Sequence, residues 1–139
     1  MNRGYRKLEV WIEAIELFKL VRKKTKNLPE LNYKIRNQIK DSAFSISSNI
    51  AEGHCRRFLK ENIQFNNIAL GSMGENYTQI FALFYSEDID DAWFNEYDKL
   101  HYSLENKLLN LNKSFIQKLQ NNENWESDYK IKELTKHYS

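Results

Sequence analysis

The residues of this 139-residue chain best equipped for chemistry are three histidines, one cysteine and a short run of carboxylates. A di-iron site inside a helical bundle needs two Glu-x-x-His motifs and two further carboxylates. The chain offers one approximation, Asp98-Lys99-Leu100-His101, so such a centre cannot be assembled. A helical nuclease that pairs an arginine with a histidine a few residues later has no basis either, because no arginine precedes His101 or His137 at close range. His54 stands beside Cys55 in a segment read as a turn, but a nucleophilic pair needs a third group to orient the base, and none is evident. Cys55 is the only cysteine, which excludes an intrachain disulfide and a thiolate metal site. Glu87, Asp88, Asp90 and Asp91 lack the glycine and the spacing of a calcium loop and read as helix capping. There is no glycine-rich phosphate loop. The expectation is a protein with no catalytic residues, no metal and no cofactor.

What remains is charge. The net formal charge is only +2, yet residues 1–60 hold 14 Lys/Arg against 6 Asp/Glu and residues 61–139 hold 7 against 13. The basic residues concentrate in two groups, Arg22, Lys23, Lys24 and Lys26, then Arg56, Arg57 and Lys60. Such groups bind nucleic acid by releasing counterions from phosphates and need no base contacts. Cations at helix C-termini also complement the macrodipole, which accounts for both groups without any ligand.

The elements that must carry these groups are helices. Leu8, Trp11, Ile15, Phe18 and Val21 recur at three- and four-residue spacing, as do Ile35, Ile39, Ala43, Ile46, Ile50 and Gly53. A third stripe runs through Ile63, Ala69, Met73, Tyr77, Ile80, Phe81 and Phe84, and a fourth through Phe94, Tyr97, Leu100, Leu104, Leu108, Leu111, Phe115 and Leu119. Asn27-Leu28-Pro29 breaks the first from the second, and Asp90 or Asp91 is placed to cap the fourth. One proline and four glycines are poor punctuation for an all-β fold. The reading is an all-α, antiparallel up-down four-helix bundle over residues 1–120, with helices of roughly 20 to 28 residues, closed by Asn121-Asn122-Glu123-Asn124 and followed by a polar tail over 121–139. In an antiparallel pair the two basic groups fall at opposite ends. No apolar run approaches a membrane span and no signal-like segment follows the basic N-terminus, so the expected location is cytoplasmic.

One segment has a distinctive surface. Beside the apolar stripe of the second helix runs Gln38, Ser42, Ser45, Asn49, Glu52 and Arg56, and the third helix carries Ala69, Gly71, Ser72 and Gly74 next to Glu75. Each mid-helix glycine costs about 1 kcal/mol against alanine, so close backbone packing is a reason to have it. Ser45, Asn49, Glu52 and Gly53 are therefore candidate oligomer-interface residues, the alternative being packing within the chain.

Three ordered motifs carry a family resemblance. Tyr5-Arg6-Lys7-Leu8-Glu9-Val10-Trp11, the Ser45–Gly53 segment with Arg56-Arg57, and Ile68-Ala69-Leu70-Gly71-Ser72-Met73-Gly74-Glu75 resemble the landmarks of the S23-like proteins encoded in intervening sequences of bacterial large-subunit ribosomal RNA genes. That family extends to the accessory variability proteins of diversity-generating retroelements. The resemblance spans residues 5–120 and implies a four-helix bundle that assembles into a ring-shaped homopentamer. In the retroelement branch it also implies binding to RNA or DNA and to a reverse transcriptase through a basic surface. Two positions depart from the pattern: Ser47 stands where proline is usual, and Asp41 follows Lys40 where a basic pair is usual.

Overall fold

The computed structural model describes the backbone of residues 3–138 and the side chains of residues 3–121. After a short 3₁₀ turn, Gly4–Lys7, come α1 (Glu9–Lys26), α2 (Tyr33–His54), α3 (Leu59–Tyr85) and α4 (Asp91–Tyr138). Among the described residues each helix packs on its two neighbours around a square and the backbones of diagonal pairs stay apart, so the bundle is the expected up-down-up-down one. There is no strand among those residues.

Local chemistry sets the helix ends. The Asn32 side chain accepts from Lys34 N at 2.8 Å and caps α2, and Asp90 Oδ1 accepts from Trp93 N at 2.8 Å and caps α4. α3 ends in a left-handed turn: Glu87 takes φ 67°, its N–H reaches Phe84 O, and Asp88 N–H reaches Leu83 O. α4 does not close at Asn121–Asn124 but runs on to Tyr138. Asparagine is a weak helix former rather than a breaker, and neither glycine nor proline lies there to end the helix. Beyond Asn121, the side chains of the polar tail expected over 121–139 lie outside the described residues.

The core differs from the sequence stripes in two ways. On α1 the buried line is Val10, Ala14, Leu17, Val21 and Thr25, whereas Ile15 is 36% exposed and Trp11 and Phe18 are half-buried. Two apolar lines run side by side on this helix, and the one containing small Ala14 lets a neighbour come close. On α3 and α4 the innermost positions are partly polar: Asn66, Asn76, His101 and Asn112 are buried among Ile63, Ala69, Met73, Ile80, Leu104 and Leu108. Each polar group has a partner, as burial requires. Asn76 Nδ2 donates to Ile39 O and Ser42 Oγ, Tyr97 Oη donates to Asn76 Oδ1, His101 Nε2 lies 2.9 Å from Met73 O, and Asn66 donates to Asn112, which donates to Ile63 O and Asn67. These bonds tie α3 to both α2 and α4 at defined levels, and so fix the register of the helices that carry the surfaces.

Candidate interaction surfaces

The α2–α3 seam contains the small and polar residues singled out in the sequence, and it divides them. Ser45 Oγ accepts from Ser72 Oγ at 2.9 Å, joining the two helices. Asn49 turns back on its own helix, donating to Ser45 O at 2.8 Å and Ser45 Oγ at 2.9 Å. Gly53 is buried, and a Cβ there would lie 2.8 Å from Phe65 Cβ and 3.0 Å from Asn62 Oδ1. Gly53 is thus committed to intrachain packing of α2 on α3. Glu52 is exposed and pairs with Arg56 at 2.6 Å, an i,i+4 surface bridge.

Gly71 and Gly74 behave differently. Both are exposed, and a Cβ on either would meet nothing within 4 Å. Packing within the chain, the alternative to an interface, does not account for them. They lie on the outer face of α3 with Ile68, whose side chain is 52% exposed, one turn before Gly71.

The two basic groups lie at opposite ends of the bundle, separated by the length of α2, about 33 Å at 1.5 Å per residue. Arg56 stacks over Phe65 at 4.8 Å in addition to its bridge with Glu52. Arg57 and Lys60, exposed at the same end, form no ion pair among the described residues. At the other end Lys24 sits over Trp93 at 5.6 Å, Lys23 is exposed, and Arg22 and Lys26 share a cleft with Arg36 and Lys40. Sequence reasoning missed Arg36 as part of a charged group. The signal was there: Arg36 and Lys40 are one helical turn apart, and an antiparallel α2 brings them alongside the end of α1.

The α3–α4 turn, at the same end as Lys24, forms an open acidic hollow of about 520 Å³ lined by Phe84, Tyr85, Glu87, Ile89, Asp90 and Asp91. Burial, chiefly, raises the Tyr97 phenol far above its ordinary value, and Tyr77 is raised by burial and then by neighbouring Asp98. On the α1–α4 side Lys107 is raised by hydrogen bonds to Glu9 and Glu13.

The histidines and the cysteine do not converge on a site. His101 is buried against Met73 O, His54 lies against the N-terminal turn with Nε2 3.0 Å from where a Gly4 Cβ would stand, and Cys55 is exposed. Among the described residues no group of three or more His, Cys, Asp or Glu could hold a metal ion. No described helix is long and apolar enough to cross a membrane.

No curated protein matches the chain. A family model described as 23S rRNA-intervening sequence protein matches residues 6–110, which take in α1, α2, α3 and the first part of α4. The matched family is one of small helical proteins and is not a known enzyme family. With its four helices in the expected order and most of its length matched, the chain belongs to the 23S rRNA-intervening sequence protein family.

Proposed function

We propose that this protein is a non-catalytic, self-assembling helical adaptor, which meets copies of itself through the outer α2–α3 face and presents cationic ends to nucleic acid. The observation that carries the assembly is the open pair Gly71 and Gly74, beside exposed Ile68. A mid-helix glycine costs about 1 kcal/mol against alanine, and nothing within the chain repays that cost by packing there. A helix of a second copy laid on this face approaches the α3 backbone closely and covers Ile68, with Ser45, Asn49 and Glu52 along its edge. A face that meets a different face of the next copy closes into a ring when the rotation allows. The family resemblance supports five copies.

The cations supply the second half. Arg22, Lys23, Lys26, Arg57 and Lys60 form no ion pair among the described residues, so their charge is available to phosphates. A ring multiplies that field, and the partner is RNA or DNA, or an enzyme acting on it such as a reverse transcriptase. The test is fluorescence anisotropy with a labelled structured RNA and a duplex DNA. Affinity is expected to fall steeply between about 50 and 200 mM salt, and replacing Arg56, Arg57 and Lys60 by Gln to weaken binding to all sequences alike. Absence of any anisotropy change at low salt, with protein in the tens of micromolar, removes the nucleic-acid half. It leaves a structural homo-oligomer, a reading favoured by the internal aromatic contacts that already occupy Lys24 and Arg56.

A further inference from the structure

Arg22, Thr25, Lys26, Arg36 and Lys40 line a cleft of about 140 Å³ between the last turns of α1 and the first turns of α2. Four of the five are cationic and none is acidic. Among the described residues Arg22, Lys26, Arg36 and Lys40 form no ion pair, Asp41 notwithstanding, although it follows Lys40 in sequence. Thr25 is buried and its hydroxyl donates to Arg22 O, so it forms a floor rather than a donor to a ligand.

The macrodipole does not account for this group. It favours Arg22 and Lys26 at the end of α1, but Arg36 lies in the first turn of α2, where the positive helix end opposes a cation and no acidic side chain offsets it. Lys40 sits four residues after Arg36, a spacing at which like charges repel. Arg36 is nonetheless held in place: its Nη2 donates to Leu28 O at 2.8 Å and Leu31 O at 3.3 Å, across the α1–α2 loop. Its Nε is buried and has no hydrogen-bond partner. A guanidinium held in position by two carbonyls, in a ring of unpaired cations, is a site prepared for an anion. The volume sets the size of that anion. It is well under the roughly 300–1,000 Å³ of pockets that take drug-sized ligands and cofactors, so the cleft does not enclose a whole nucleotide, whereas a single phosphate group fits.

We propose that this cleft is a binding recess for a phosphate-class oxyanion, with Arg36 as its fixed donor and Arg22, Lys26 and Lys40 as its charge. The inference rests on the reading of the basic ends as phosphate-binding surfaces and locates one phosphate of that contact. The oxyanion is either a phosphodiester of a nucleic acid or free phosphate, and the two are separated by experiment.

The experiment follows the Arg36 Nε–H signal by ¹H–¹⁵N correlation in the full chain. Inorganic phosphate is titrated at constant ionic strength against chloride, then single-stranded RNA is added. A saturable shift with phosphate, lost in Lys26→Gln/Lys40→Gln, is the expected result. Neither lysine makes a hydrogen bond that the fold needs, and a thermal midpoint of the variant no lower than that of the wild type verifies this. RNA is expected to shift the same signal, and the variant's salt slope for RNA to fall by about 1 per lysine that contacts a phosphate. No shift with phosphate, or a shift that survives in the variant, overturns the recess, whether or not RNA binds elsewhere. A shift with phosphate but none with RNA keeps the recess for free phosphate and overturns the nucleic-acid reading at this end.

Discussion

Tyr97 Oη and Asn76 Oδ1 lie 2.6 Å apart, both side chains wholly buried, in the middle of the bundle. The same asparagine reaches Ile39 O at 3.1 Å and Ser42 Oγ at 3.0 Å, so one amide joins three helices. A buried network of this kind holds the helices in one register because a slip leaves its groups unsatisfied.

Removing one partner is therefore expected to cost more than the bond itself is worth. Tyr97→Phe leaves Asn76 Oδ1 without a donor, and Asn76→Leu leaves the Tyr97 hydroxyl without an acceptor, each costing about 1–3 kcal/mol. The double variant is expected to lose less than the sum of the two, by urea unfolding. Strict additivity contradicts the coupling.

The same tyrosine sets an alkaline limit. Burial raises its phenol above the ordinary 10.0, so the folded chain keeps a proton that the unfolded chain loses. Stability is then unaffected below about pH 10 and falls as pH rises beyond it. Urea midpoints between about pH 8 and 11 are expected to show this fall, and Tyr97→Phe to flatten it. An equal slope in the two proteins assigns the alkaline loss to other groups.

Two backbone positions have opposite expected signs. Gly53→Ala puts a Cβ 2.8 Å from Phe65 Cβ, and overpacking of that kind destabilises by about 1–3 kcal/mol. Glu87 occupies a left-handed position with φ 67°, so Glu87→Gly is expected to stabilise by about 0.5–1 kcal/mol. Chemical unfolding of both variants at neutral pH reads the signs directly.

The fold was legible because hydrophobic period, Asn27-Leu28-Pro29 and the Asp90 cap are local signals. Ile39, Ala43, Ile46 and Ile50 are buried as their spacing predicts, while Ile35 at the start of that stripe is exposed. The end of α4 was misread because asparagine weakens a helix without stopping it. The polar core was missed because Asn66, Asn76 and Asn112 read as surface residues by type. Their positions gave the signal: Ile63, Asn66, Ala69, Met73, Asn76, Ile80 and Leu83 form one unbroken helical stripe. At the surfaces, residue type drew attention to Gly53, Gly71 and Gly74 alike. Only the packing of α2 on α3 separates the buried one from the two open ones.

The most direct test of self-assembly is sedimentation velocity of the wild-type chain beside Gly71→Gln/Gly74→Gln. Glutamine is a good helix former, adds no charge and meets no intrachain atom within 4 Å at its Cβ, so the fold of the single chain is expected to gain about 0.5 kcal/mol per site. The wild-type protein is expected to sediment in the tens of micromolar as a multiple of the 16.7 kDa chain, five copies in the ring reading, and the variant as a well-folded monomer. A wild-type monomer near 16.7 kDa, or a variant that keeps the wild-type mass, contradicts assembly through this face.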